Sequence, residues 1–219
     1  MTNRRFFLFA NGDFRDPDFY RKQIDAEDRI VCVDGGARHV LEMGLHPHVV
    51  VGDTDSIDAD LRQRLNNMSV EWIRDPSIDQ DKSDMEMALD HVLSLRPKPL
   101  EIVVCGALGG KRVDHTLINL FLLLRPFEAG VRARIIDELQ TIRLIDGELK
   151  FQGQVGDYLS LFALTPSVTG IWTRGLKYPL HGDTLYFAST LGLSNELSSL
   201  EAEVTFSSGL LLAVHISRH

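Results

Sequence analysis

Through the first 138 residues, short apolar runs alternate with segments of helical period, and that rhythm leaves few folds open. "RRFFLFA" (4–10), "RIVCVD" (29–34), "HVVVGD" (48–53), "VEWIRD" (70–75), "EIVVCG" (101–106) and "ARIID" (133–137) each read as a strand. Several are apolar throughout rather than alternating, as parallel strands buried on both faces are. Between them, "GARHVLEMG" (36–44), "DADLRQRLNN" (58–67), "SDMEMALDHVLSL" (83–95) and "DHTLINLFLLL" (114–124) space their apolar residues as helices do. The alternation predicts an α/β unit with a mainly parallel, Rossmann-like sheet. Such sheets bind ligands beyond the carboxyl ends of their strands. Polar signatures recur there: Asn11-Gly12-Asp13, Asp34-Gly35-Gly36, Gly52-Asp53-Thr54-Asp55, and Gly106 leading to Gly109-Gly110.

After about residue 138 the texture changes. "QTIRLIDGELKFQGQVGDYLSLFALTPSVTGIWTRGLKYPL" and "AEVTFSSGLLLAVHI" carry short alternating runs broken by Asp-Gly, Gly and Pro. They predict an all-β sandwich over 139–219, beside an α/β domain over 1–138. With 44% hydrophobic and 25% charged residues the composition is that of an ordinary globular protein. A net charge of −8 and the lack of a basic stripe argue against a nucleic-acid partner. No apolar run has the length of a membrane span, so no membrane partner is expected; "LINLFLLL" (117–124) reads as a buried helix. "MTNRRFFLFANGD" has too short an apolar stretch for a signal peptide and reads as the first strand. Cys32 and Cys105 fall in apolar runs, as small hydrophobes of a reducing cytoplasm do.

Asp53 and Asp55 stand two apart, so in extended backbone they point the same way. "DQDKSDMEMAL" adds Asp79, Asp81 and Asp84 at a helix entrance. Taken alone, those acids are explained as well by helix capping and the macrodipole as by function. Asp34-Gly35-Gly36 alone reads as a strand-to-helix turn with permissive glycines. Together, acids at several strand ends would converge on one crevice, and like charges there need a cation. Mg²⁺ takes oxygen ligands and shares them with substrate phosphates, while glycines let backbone N–H groups approach phosphate oxygens. The constellation therefore points to a metal-held nucleotide. Zinc is disfavoured because no Cys/His cluster has ligand spacing. Walker A, G-x-G-x-x-G and G-x-S-x-G motifs are absent. In "GALGGKRVDH" (106–115), Lys111 and Arg112 are candidate phosphate clamps, and Asp114-His115 opens a helix.

The ordered motifs Asn11-Gly12, Asp34-Gly35-Gly36, Gly52-Asp53-x-Asp55-Ser56, Gln80-Asp81-Lys82-x-Asp84, Gly109-Gly110 through Asp114-His115, "GLKYPL" (175–180) and "GLSNE" (192–196) resemble the thiamine pyrophosphokinase family across nearly the whole chain. The resemblance implies Mg²⁺-dependent transfer of diphosphate from ATP to the thiamine hydroxyl, giving thiamine diphosphate and AMP. It also implies a homodimer with thiamine sites between subunits. Carried over, Asp53, Asp55 and Asp84 match the metal and diphosphate site, and Asp55, Asp84 and Asp114 are the catalytic candidates. Substrate contacts fall on Asn11, Asp34, Gly35, Gly36, Gln80, Asp81, Lys82, Gly109, Gly110, Arg112 and His115. Ser194 and Asn195 match the thiamine pocket. The family turn reads Gly-Gly-Arg-x-Asp-His; here Lys111 adds a residue before Arg112, so either cation fits the arginine's place.

Asp84 and Asp114 both stand as acceptors of the hydroxyl proton. A pyrophosphokinase for another heterocyclic alcohol and a catalytically silent binder are the rival readings. Trp72 and Trp172 read as core residues, His39, His46 and His48 as surface or capping residues, and His115 as a helix-start hydrogen-bonding group.

Overall fold

The computed structural model describes residues 4–52, 57–74, 82–109 and 112–218. The chain divides into two compact units, Met1–Glu138 and Leu139–His219.

In the first unit the strands are β1 (Arg5–Phe9), β2 (Arg29–Val33), β3 (Val49–Val51), β4 (Glu71–Ile73), β5 (Glu101–Cys105) and β6 (Arg132–Ile136). They lie side by side in the order β6-β5-β1-β2-β3-β4, and every pairing is parallel. The helices are α1 (Pro17–Arg21), α2 (Gly36–Glu42), α3 (Ala59–Asn66), α4 (Asp84–Ser94), α5 (Val113–Phe121) and α6 (Leu124–Glu128).

Because successive side chains of a strand alternate between faces, each apolar run fills two cores. Phe7, Phe9, Ile30, Cys32, Val50, Val103 and Cys105 pack with Tyr20 of α1, Ala37 and Val40 of α2, and Leu61 and Leu65 of α3. The alternate residues, among them Leu8, Val31, Val51, Ile102 and Val104, are buried too. On their face α4 lies against β2 and β3, and Val104 lies beside Met85, Leu89, Leu122 and Leu123. Burial pushes the thiols of Cys32 and Cys105 up, which keeps them inert.

Three local readings differ from the sequence expectation. Helix α1 was not foreseen, because five residues carry too little periodicity; Pro at its start, the Asp16 cap and the buried Tyr20 ring hold it. Trp172 is 54% exposed rather than in the core, because Ile171 and Thr173 point inward on either side of it. Trp72 is half-buried and packs on the core as expected. His46 is exposed, whereas His39 is half-buried against the Phe14 ring, 4.4 Å between centroids.

The second unit comprises β7 (Gln140–Ile145), β8 (Glu148–Gln152), β9 (Tyr158–Ala163), β10 (Ser167–Arg174), β11 (His181–Tyr186), β12 (Asn195–Glu196), β13 (Glu201–Thr205) and β14 (Leu211–Ile216). They form two antiparallel layers, β12-β9-β14-β7 and β11-β10-β13-β8. Leu159, Leu161 and Ala213 of one layer share a core with Val168, Ile171, Leu185 and Val204 of the other, which makes the unit a sandwich.

Asp157, 2% exposed, fastens the end of this unit. Its carboxylate accepts the Gln154 N–H at 2.9 Å and the Arg218 N–H at 3.1 Å, and lies 3.0 Å from His215 Nε2. Burial opposes the charge, but these hydrogen bonds outweigh it and hold the carboxyl below the usual range. A depressed folded pKa contributes stability above the unfolded value of about 3.9, and loses it as pH falls through the folded value. Asp157→Ala is expected to lower the unfolding free energy at neutral pH by about 2–4 kcal/mol. The deficit should shrink below about pH 3.9 in urea titrations run across pH.

Gly36 opens α2 against β1, where a methyl group would lie 1.9 Å from the Phe9 carbonyl oxygen. Since that atom is strand backbone and cannot retreat, Gly36→Ala should cost roughly 2–4 kcal/mol in thermal or urea unfolding.

Candidate active site

The strand order reverses direction between β1 and β5, since β2 to β4 extend one way and β6 the other. A crevice opens at such a switch point beyond the strand ends. Its walls meet very closely. A methyl group at Gly12 would lie 2.2 Å from the Gly106 carbonyl oxygen, and one at Gly106 would strike the Phe14 ring at 2.5 Å. Only glycine allows the exits of β1 and β5 to touch in this way.

The next exit, after β2, is built differently from the sequence expectation. The left-handed backbone falls on Asp34, with φ of 50°, rather than on the glycines after it. Gly35 is needed for close approach instead: a side chain there would lie 2.6 Å from the Asn11 carboxamide. The turn aims Asp34 into the crevice, where its Oδ1 is buried with no hydrogen-bond partner among the described residues. A buried carboxylate oxygen without a donor is costly, and a cation is the partner that fits it.

At the exit of β3, Gly52 has φ of 133°, and a methyl group there would lie 3.1–3.3 Å from the Asp84 carboxylate. Asp84 is the first residue of α4, capped by Ser83, whose hydroxyl accepts the Glu86 N–H at 3.3 Å. Asp84 thus stands beside the backbone that leads directly into Asp53.

Helix α5 was expected to be a buried helix, and it is not: Val113, Leu117, Ile118 and Phe121 are 44–70% exposed. The helix is docked by its polar side. The Thr116 hydroxyl donates to the Gly109 carbonyl at 3.3 Å, and Asn119 Nδ2 donates to the Ala107 carbonyl at 3.0 Å. These bonds hold the glycine turn after β5 and turn the apolar stripe outward, while burial is left to Leu122 and Leu123.

The result is a cleft of about 320 Å³, comparable to small-ligand pockets. It brings together Asn11, Asp34, Asp84, Gly109, Arg112 and His115 of the sequence candidates. Gly35 and Gly36 lie behind Asn11 and β1. Lys82 instead forms an ion pair with Asp90 at 2.8 Å. Asp53, Asp55, Gln80, Asp81, Gly110 and the neighbouring Lys111 lie outside the described residues. Among the described residues no group of three or more His, Cys, Asp or Glu side chains is gathered for a metal. Ser83, Thr116 and Asn119 line the cleft without having been singled out. For Thr116 and Asn119 the signal is present: with Arg112 they give polar positions at helical spacing along a segment otherwise read as apolar, whereas Ser83 enters as the cap of α4.

Arg112 meets Asp114 in a two-point pair, Nε–Oδ1 at 2.9 Å and Nη2–Oδ2 at 2.6 Å. This pairing, aided by the His115 N–H, holds the Asp114 carboxyl down at about 2. Asp114 is therefore a weak base at neutral pH, and it keeps Arg112 at the cleft's edge.

In the second unit, "GLKYPL" and "GLSNE" form one structure. Asn195 Oδ1 accepts the Tyr178 N–H at 3.1 Å, and its Nδ2 donates to the Tyr178 carbonyl at 2.7 Å. Lys177 N donates to the Glu196 carbonyl at 2.8 Å, and Ser198 N to the Gly175 carbonyl at 2.9 Å. Ser194, at φ of 54°, donates its N–H to the Ser160 hydroxyl at 2.9 Å. Tyr178 is left 60% exposed above this clamp.

Replacing Arg112 by Ala should release Asp114, raising its pKa from about 2 toward the ordinary value near 3.9. An NMR titration of the side-chain carboxyl reads this directly, and an unmoved value would remove the pairing as its cause.

Residues 20–135 match the family model for the thiamin pyrophosphokinase catalytic domain, and residues 146–211 the model for the thiamin pyrophosphokinase vitamin B1 binding domain. The thiamine pyrophosphokinase of Bacillus subtilis (strain 168) is 29% identical over 186 residues, 84% of this chain and 85% of that protein. A crystal structure of thiamine pyrophosphokinase from Bacillus subtilis superposes with a TM-score of 0.88 at 26% identity, covering 99% of this chain and all of that one. One from Geobacillus thermodenitrificans gives 0.82 at 28% identity, covering 97% of each chain. With both of its units matched in order, this chain belongs to the thiamin pyrophosphokinase family.

Proposed function

We propose that this chain is an ATP:thiamine diphosphotransferase that works with Mg²⁺, the α/β unit holding the nucleotide and the sandwich unit the thiamine. The observation that carries the reading is the cleft at the switch point. There Asn11, Asp34, Asp84, Gly109, Arg112 and His115 stand together beyond the ends of parallel strands. In the reaction the thiamine hydroxyl oxygen attacks the β-phosphorus of ATP. The bond from that phosphorus to the oxygen of the α-phosphate breaks, and AMP leaves with the bridging oxygen.

Asp84, with Asp53 and Asp55, would hold the magnesium, and the Asp34 oxygen that has no partner among the described residues suits the same cation. When bound, the metal offsets the charge on the phosphate oxygens. Arg112 is placed to exchange Asp114 for a phosphate oxygen. Of the two acids weighed for the hydroxyl proton, Asp84 lines the cleft, while Asp114 is tied to Arg112 with low basicity. Gln80, Asp81, Lys82, Gly110 and His115 remain substrate contacts in this reading. The Asn195–Tyr178 clamp, with Ser194, would present an aromatic surface to thiamine.

A homodimer with thiamine sites between subunits follows from the family resemblance. The exposed apolar face of α5 and the exposed Tyr178, Tyr186 and Phe187 are surfaces that such an association could cover. A cytoplasmic setting accords with two free, buried cysteines. No helix among the described residues is long and apolar enough to cross a membrane.

AMP release from ATP should require both thiamine and Mg²⁺. Asp55→Ala and Asp84→Ala should each lower it by roughly a hundredfold or more, the scale on which removal of a charge-stabilising group acts. Their unfolding midpoints should stay near that of the parent. AMP formed only with a different heterocyclic alcohol would replace thiamine as substrate, and none with any alcohol would leave a silent binder. Near-parental turnover in the aspartate variants would remove the metal assignment.

A further inference from the structure

At the other end of the same strands lies a second concavity, of about 540 Å³. The register explains its composition. Phe6 pairs with Arg29, and Val31 with Val49, which pairs with Glu71. Residues two apart share a face, so Phe6, Arg29, Val49 and Glu71 stand on one face of the sheet, and Arg4 precedes Phe6 on the same side. Helix α4 covers that face over β2 and β3 and ends at Ser94, which leaves the strand beginnings under its last turn. His91, Leu95 and Arg96 line the groove from there.

Three guanidinium groups border this groove, and they are not equivalent. Arg96 spends its Nη1 on the carbonyls of Leu93, Ser94 and Leu95, 2.8–3.1 Å away, and so caps α4. Arg4 and Arg29 are half-buried, and neither guanidinium has an ion pair or hydrogen bond among the described residues. That is not for want of acids, since the chain has 31 Asp and Glu against 23 Lys and Arg. Arg5, which follows Arg4 directly, is bound by Asp28 and Asp25 on the opposite face. Among the described residues the one carboxylate lining the groove, Glu71, is exposed at its rim.

His48 adds a directed donor. Its Nδ1 accepts the Ile30 N–H at 3.0 Å, so in the neutral ring the proton sits on Nε2. Its basicity is lowered by burial and then by Arg29, His46 and Arg4, a sign of the positive field there.

We propose that this groove binds a small phosphorylated molecule. Arg4 and Arg29 grip its phosphoryl oxygens, His48 donates to them, and Phe6 and Val49 support the rest of the ligand. Two free guanidinium forks suit the several acceptor oxygens of a phosphoryl group better than the two of a carboxylate. The volume exceeds what inorganic phosphate needs, which favours an ester or a diphosphate.

The test uses the full chain with chelator present, and AMP and inorganic pyrophosphate as separate probes. In the parent protein, NMR signals of the His48 and His91 rings should shift on titration with at least one probe. A response to AMP alone identifies a phosphate ester as the ligand class, and one to pyrophosphate alone a free diphosphate. By calorimetry, the Arg4→Ser/Arg29→Ser double variant should bind the effective probe at least tenfold more weakly at this site, while thiamine-dependent AMP production is retained. Rings unmoved by either probe through the millimolar range overturn the proposal, and so does an isotherm unchanged by the double substitution. Should the variant fail to fold, the ring titration of the parent protein decides alone.

Discussion

The contact of two bare backbones, at Gly12 and Gly106, sets the position of everything else in the first unit. Where the chain leaves parallel strands, Cβ atoms ordinarily keep neighbouring backbones from touching. Removing the Cβ atoms lets the β1 and β5 exits touch, and Gly36 does the same between α2 and the end of β1. The crevice at the topological switch is narrowed by the first contact and backed by the second. Asn11 is pressed against Gly35, and Asp34 is turned inward through a backbone angle that few side-chain-bearing residues adopt. Strain at Asp34 is offset by its N–H bond to the Val51 carbonyl at 2.8 Å, which makes the turn part of the strand ladder.

The second device is the inverted docking of α5. An amphipathic helix normally buries its apolar stripe. Here two side-chain hydrogen bonds, from Thr116 and Asn119, hold the polar face onto the glycine turn. The helix then serves the cleft, lending it Arg112, His115, Thr116 and Asn119. The apolar stripe is displaced to the surface as a consequence, which ties the shape of the cleft to whatever meets that stripe.

The strands were legible because buried parallel strands must be apolar on both faces, and "RIVCV" and "EIVVC" have no other plausible home. Sidedness was less legible. "LINLFLLL" reads as core because hydropathy records how apolar a segment is, not which of its faces is bonded. Asn119, the residue that decides the matter, is one polar letter in an apolar run. Trp172 departs from its core expectation for a related reason: its neighbours, Ile171 and Thr173, take the inward positions of β10, and a threonine gives little hydropathic warning that it is the buried one. The glycines of Asp34-Gly35-Gly36 were found, but their role was not, since close approach depends on Asn11 and Phe9 far off in sequence.

Charge supplies the last step. Among the described residues, the cleft presents the carboxylates of Asp34 and Asp84 and one guanidinium, Arg112, which Asp114 already neutralises. Such a lining repels a polyphosphate rather than attracting it, and a protein of net charge −8 gives no long-range help. In the proposed reaction, magnesium held beside Asp34 and Asp84 would supply the positive charge that these described residues do not. In that proposal the acids that look adverse to a nucleotide are the means of placing that charge. At the opposite strand ends the balance is reversed: among the described residues the Arg4 and Arg29 guanidiniums have no ion pair, and the anion proposed there would need no metal. On these two proposals one sheet would carry two anion-directed ends that operate by different electrostatics, and removal of divalent cations would separate them.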